Sequence, residues 1–223
     1  VKFLTLFNAL KSILSRLKRK KQSENSSATQ QNWKKNELVG ICIGHSRRGD
    51  KGAENFFKTT SEWDYNNKVA VGLKKELKSI GIESKIYPVY KASGYTGAMG
   101  FIKRKLREDG ATLALELHFN AYNGKARGCE TLYTTNHPES KILATCIQES
   151  VLNGFYTVNR GIKQLRRNKR GWLFVNNWTI PAVLCEPFFG DNKHDWLLFS
   201  NPKRLAKSYA EGIQNFLVRK TNK

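Results

Sequence analysis

Short apolar runs alternate with longer amphipathic segments along most of this chain, and that alternation restricts the fold more than any other feature. "ELVGICIGH", "IESKIYPV", "GATLALELHFN" and "GCETLYTT" read as strands. "SEWDYNNKVAVGLKKELKSIG" reads as a helix with Ser61 as its N-cap and Gly81 as its stop. "GAMGFIKRKLRED" is a short helix, "HPESKILATCIQESVLNG" a longer one, and "NPKRLAKSYAEGIQNFLVRK" a closing amphipathic helix; "GWLFVNNWTIPAVLCEPFF" holds one or two strands. Strands separated by helices of this length predict an α/β sheet with helices on its faces.

A chain of 223 residues fits one such domain with sequence left over. The surplus is at the start. Residues 1–35 comprise "VKFLTLFNALKSILSRLKRKK", whose apolar positions fall at helical spacing before a basic cluster, and then a polar Ser/Gln/Asn-rich linker. The helix either docks its apolar stripe on the main domain or meets an anionic membrane or wall surface. The folded domain spans 36–223. Net charge is +21, which predicts attraction to polyanions and does not choose among nucleic acid, lipid and acidic wall polymer. Cys42, Cys129, Cys146 and Cys185 lie far apart without a CxxC pair, so reduced buried thiols are expected rather than disulfides or a cysteine zinc site. No run approaches the ~20 apolar residues of a membrane span.

Three apolar runs end in ionisable residues: "VGICIGHS" in His45, "LALELHFN" in His118 and "PAVLCEPF" in Glu186. Ligand sites in such sheets gather at the carboxyl ends of strands. In "LALELHFN", Leu113, Leu115 and Leu117 face one way and Ala114, Glu116 and His118 the other, an arrangement that a solvated sheet face also accommodates. Glu62 follows His45 by seventeen residues, in the first turn of the helix that succeeds the first strand. Alone it reads equally as a carboxylate opposing the helix dipole. Two imidazoles and a carboxylate form an N/N/O set suited to one Zn²⁺, with a fourth position open for water. Glu186 fits the carboxylate that such a water needs as proton acceptor.

"GHS", "TSEWDYNNKVAVGLKKELKSIGIESKIYP", "LELHFNA", "GCETLYT" and "IPAVLCEPFFGDNKHDWLL", in this order from about Val39 to about Phe216, resemble the zinc-dependent N-acetylmuramoyl-L-alanine amidases of the amidase-3 family. The resemblance implies that His45, Glu62 and His118 bind zinc and that Glu186 is the catalytic carboxylate. It also implies a twisted mixed sheet of about six strands flanked by helices, of phosphorylase/hydrolase-like type, and cleavage of the amide between N-acetylmuramic acid and the L-alanine of the stem peptide. The chain departs from the family's usual "DPGHGG" with "CIGHSRRGDKG", and from an Asp and Arg pattern before the third strand with "YTGAMGFIKRKL", which affects substrate contacts rather than the metal set. Glu116 stands where small hydroxyl residues are common; two residues before His118, it can accept the hydrogen bond of the ring nitrogen that does not bind metal.

Asn120 and Asn192 are candidates to orient substrate amides. In the basic run "KQLRRNKRGW", Arg166 and Arg167 are candidates for stem-peptide or polymer carboxylates. His194 reads as a loop residue and His137 as one at a helix entrance. The expected partner is peptidoglycan, with an anionic membrane or wall polymer possible through the N-terminal helix; nucleic acid is not the expected functional partner. The residues leave two alternatives: a basic nucleic-acid or wall-polymer binding protein with a degenerate site, or a zinc carboxypeptidase. The start shows no secretory pattern, since its apolar positions are interrupted, its charges follow them and no small-residue cleavage site appears. The expectation is an endolysin- or autolysin-type enzyme, made in the bacterial or phage-infected cytoplasm and acting at the wall or periplasm.

Overall fold

The computed structural model describes residues 37–47, 49–177 and 179–221, so the N-terminal helix and linker expected from the sequence lie outside the described residues. Six strands form one sheet in the order β2-β1-β3-β6-β4-β5. They are β1 (Leu38–Ile43), β2 (Glu83–Tyr87), β3 (Leu113–Leu117), β4 (Cys129–Tyr133), β5 (Asn159–Gln164) and β6 (Ala182–Glu186). β1 runs parallel to β2 and to β3, and β3 parallel to β6. β4 runs antiparallel to β6 and parallel to β5, which makes the sheet mixed.

The helices are α1 (Glu62–Ser79), α2 (Gly94–Glu108), α3 (Ser140–Phe155), α4 (Trp172–Val175), α5 (Lys193–Phe199) and α6 (Pro202–Thr221). α1 begins where Ser61 caps it, the hydroxyl accepting from Asp64 N at 3.2 Å. It ends at Ile80, followed by Gly81 at φ +77°. α1 and α3 pack on α6 at one face of the sheet. On the other face, Met99, Ile102 and Leu106 of α2 and Phe174 and Val175 of α4 join Cys42, Ala114, Ala182 and Leu184 of the sheet in one apolar cluster. Both faces of β3 are therefore buried, and Glu116 keeps only 3% of its surface exposed. This removes the solvated-face reading of that strand: Glu116 is buried, and a buried carboxylate needs partners.

Three elements differ from the sequence reading. "GWLFV" begins with the helical turn α4, so its stretch contributes one strand, β6. β5 emerges from "NRGIKQ", which has no apolar alternation because it is an edge strand without a buried residue. Residues 193–199 form α5, with Asn192 as N-cap, rather than a loop carrying His194. All four cysteines are buried free thiols.

The order β1-β3-β6 sets the site. Three adjacent parallel strands deliver the residues at their carboxyl ends to one edge, and the ladder continues past the strands. Asn120 N donates to Phe188 O at 2.9 Å, and Gly190 N to Asn120 O at 2.7 Å. Beneath it, Phe188 stacks on Phe199 with ring centroids 4.8 Å apart, and Tyr65 of α1 donates its buried hydroxyl to Phe199 O at 2.6 Å. These rings make a rigid floor that fixes the α1 start against the ends of β3 and β6.

Candidate metal centre

A cleft of about 780 Å³ opens at that edge, lined among others by His45, Glu62, Glu116, His118, Asn120 and Glu186. Ligand atoms of His45, Glu62 and His118 lie within 4.8 Å of one another, so the three can hold a metal ion. Glu62 is the centre of the group. Its Oε1 is 2.8 Å from His118 Nδ1 and accepts from Phe119 N at 3.1 Å, while its Oε2 is 3.1 Å from His45 Nε2 and accepts from Ala53 N at 3.2 Å. Burial opposes its charge, but the His118 and His45 contacts prevail and hold the carboxyl down to about 2.

Each imidazole has a second carboxylate on its far nitrogen. His45 Nδ1 lies 3.1 Å from Asp50 Oδ2, and His118 Nε2 lies 3.5 Å from Glu116 Oε2. Both rings thus turn one nitrogen to Glu62 and the other to an outer carboxylate, the arrangement that fixes the tautomer of a metal-binding histidine. Glu116 is in turn held by Tyr90, whose hydroxyl donates to Oε1 at 2.9 Å. Burial works against a proton on His118, yet Glu116 and Glu62 raise its pKa well above the ordinary imidazole value.

His45 Nε2 is buried and makes no aligned hydrogen bond, although Glu62 is near. An orphaned imidazole nitrogen facing a carboxylate is what a metal ion satisfies, so the donor set fits one. The backbone also shows constraint here: His45 has φ +65°, a left-handed conformation uncommon for a non-glycine residue. Two glycines make room for these side chains. A Cβ on Gly44 would fall 2.1 Å from His118 Cε1, and one on Gly52, at φ +76°, would fall 2.6 Å from Glu62 Oε2. Gly44→Ala is therefore expected to displace the His118 ring and lower metal affinity by about tenfold or more, measured by competition with a chelating dye.

Glu186 ends β6 inside the same cleft, and its Oε2 is buried without a hydrogen-bond partner. Burial pushes its pKa up to about 8, opposed by the His118 charge and assisted by Glu62 and Glu130. Glu130 sits directly opposite Glu186 across the β4–β6 pair. The two carboxylates have different surroundings: Glu130 accepts from Arg160 Nε at 2.9 Å and from Asn120 Nδ2 at 2.8 Å, while Glu186 is left to hold a proton.

The remaining candidates divide. Asn120 lines the cleft. Asn192 does not: its Oδ1 caps α5 by accepting from His194 N and Asp195 N, at 3.0 and 3.1 Å, and its Nδ2 donates to Gly124 O at 2.9 Å, so both ends of the amide are used in structure. Arg166 is exposed away from the cleft, and Arg167 lines a separate hollow of about 430 Å³. The arginine of that run that lines the cleft is Arg170. His194 is in the first turn of α5, 2.9 Å from Arg127, and His137 precedes α3, so neither joins the metal set. Asp50, Tyr90, Glu130 and Arg170 were not singled out from the sequence. Asp50 alone carried a local signal, as an acid within the glycine-flanked loop that follows His45.

Residues 39–215 match the family described as N-acetylmuramoyl-L-alanine amidase, Amidase_3. An uncharacterized cell wall amidase of Bacillus anthracis is 30% identical over 133 residues; the match covers 54% of this chain and 24% of that protein, so the chain corresponds to about a quarter of its length. The CwlD amidase of Clostridioides difficile, solved in complex with the GerS lipoprotein, superposes with TM-score 0.71 at 25% identity, covering 82% of this chain and 100% of that one. The catalytic domain of CD27L endolysin, targeting Clostridia difficile, superposes with TM-score 0.67 at 28% identity over 80% of this chain and 97% of that one. The catalytic domain of CwlV from Paenibacillus polymyxa, at 22% identity and TM-score 0.69 over 82% of this chain and 98% of that one, shares the fold. With the match covering most of the domain, from β1 into α6, this chain belongs to the N-acetylmuramoyl-L-alanine amidase family.

Proposed function

We propose that the chain hydrolyses the amide between the lactyl group of N-acetylmuramic acid and the L-alanine of the peptidoglycan stem peptide, with one zinc ion held by His45, Glu62 and His118 and with Glu186 as the catalytic carboxylate. One observation carries the reading: an unpartnered buried Glu186 oxygen shares a cleft with a buried carboxylate set between two imidazoles. A zinc ion held by His45, Glu62 and His118 would supply the Lewis acidity that polarises the amide carbonyl and lowers the pKa of the attacking water. The protein's own groups supply the proton traffic. Glu186 accepts a proton from the attacking water as the new C–O bond forms. It passes that proton to the L-alanine nitrogen as the C–N bond breaks. Asn120, with its amide nitrogen turned to Glu130, offers its carbonyl oxygen to a substrate N–H.

Glu116 acts in this reading as a positioning residue for His118. Glu116→Gln is expected to leave the fold intact and weaken zinc retention by about 10- to 100-fold. Unchanged zinc content and activity would remove that role.

The activity is tested on purified peptidoglycan by mass spectrometry of the released ends. Free stem peptides beginning at L-alanine, with glycan strands left intact, are expected from the zinc-loaded protein and are lost on chelation. New reducing sugar ends or trimmed peptide C-termini would refute the assignment.

A further inference from the structure

The segment between β5 and α4 carries Arg166, Arg167, Lys169 and Arg170 and no acidic residue. It is clamped at both ends. Leu165 N donates to Tyr133 O at 2.8 Å, and Gly171, at φ +83°, approaches β6 so closely that a Cβ would fall 2.7 Å from Leu184 Cδ1. Between these points, bonds from Lys169 N to Arg166 O at 3.2 Å and from Trp172 N to Lys169 O at 3.0 Å turn the chain. The loop therefore rests on the strand that ends in Glu186.

Arg170 lines both the catalytic cleft and the adjoining hollow of about 430 Å³, where Arg167, Tyr95 and Trp172 also stand. Asp50, Tyr95 and Glu186 line the same cleft, and each feels its positive charge. Arg104, Arg127, Arg160 and Arg219 each have a carboxylate within ion-pair distance; Arg166, Arg167 and Arg170 have none among the described residues. Leu184 and Glu186 share a strand face two residues apart, about 7 Å. Arg170, next to the glycine that rests on Leu184, thus lines the same cleft as Glu186 from the neighbouring loop.

We propose that Arg170 receives the carboxylate of the second stem-peptide residue and so selects peptidoglycan in which that group is free over peptidoglycan in which it is a carboxamide. The proposal rests on the amidase reading, which places the nitrogen of the first residue at Glu186. The second residue then carries the next anionic group along the chain. A guanidinium fork matches a carboxylate in two parallel hydrogen bonds, whereas a carboxamide of the same shape lacks the charge. Arg166 and Arg167 supply general attraction that salt screens.

Two tripeptides that begin at L-alanine, and differ only in a carboxylate or carboxamide on the second residue, test this by calorimetry with the full zinc-loaded chain. They lie on the leaving side of the scissile bond and are not substrates. The parent is expected to bind the carboxylate form about tenfold more tightly. Arg170→Gln brings the ratio to about one, Arg170→Lys keeps part of it, and the Arg166→Gln/Arg167→Gln double variant keeps all of it. Equal binding of the two peptides by the parent overturns the proposal. So does a preference that survives Arg170→Gln, or one that the double variant alone removes, the latter marking a diffuse basic surface for polyanions. Cleavage of a muramoyl carboxamide substrate is measured separately: absence of cleavage with the binding preference intact strikes the amidase reading and leaves the Arg170 assignment standing.

Discussion

Glu186→Gln should lower amide hydrolysis by about 10³-fold or more while zinc binding is retained, because the substitution removes the proposed proton carrier and leaves His45, Glu62 and His118 in place. Glutamine matches the size of the carboxylate, so the cleft keeps its shape. The same variant should be more stable than the parent once metal is removed. Burial and its neighbours move Glu186 from the ordinary 4.5 up to about 8, so the folded state resists charging it. As pH rises through that interval, the unfolded chain loses the proton first and the folded parent loses stability. Glutamine has no such charge to form. The difference in melting temperature should therefore open above about pH 5 and grow toward pH 8. Glu186→Gln with undiminished hydrolysis would remove the carboxylate from the mechanism.

Glu62→Gln should abolish stoichiometric zinc and, with it, hydrolysis. This carboxylate accepts from two backbone N–H groups and lies against both imidazoles, so it positions the set as well as serving as a proposed ligand. An amide in its place presents hydrogens toward some of those donors. It also leaves the His45 and His118 rings without the charge that orients them, and about 10³-fold or more of activity should disappear. Zinc analysis after dialysis reads the first effect directly. Metal affinity in the parent should also rise with pH, by about tenfold per unit for each proton displaced. The sign follows from His118: its pKa stands well above the ordinary value in the metal-free protein, so loading must expel a proton. Zinc retained at full stoichiometry by Glu62→Gln would mean that the ion sits elsewhere.

The α/β class and most element positions were legible because β1, β3 and β6 are buried apolar runs and α1, α3 and α6 keep helical spacing, α1 with a Ser61 cap at its start. The convergence of His45, His118 and Glu186 was legible for a related reason. Each ends an apolar run, and parallel pairing of adjacent strands brings such ends together. What stayed hidden depends on contacts between segments. β5 has no burial pattern of its own and exists through pairing with β4. Asn192 offers donor and acceptor groups that serve a helix cap as readily as a substrate; the Asp three residues later was the sign of a cap. Tyr90 reaches Glu116 across 26 positions, and composition cannot foretell that. Among the basic residues 163–170, Arg170, beside the glycine packed on Leu184, lines the cleft in place of Arg166 or Arg167, which the residue types alone do not reveal.

The central claim is hydrolysis at one bond, and digestion of peptidoglycan in ¹⁸O-labelled water tests it most directly. Water should add to the lactyl carbonyl carbon, so the label should appear in the lactyl carboxylate of N-acetylmuramic acid and the stem peptide should leave with an unlabelled amine terminus. Label in a peptide carboxylate instead would show cleavage within the stem, as a carboxypeptidase performs, and would contradict the account.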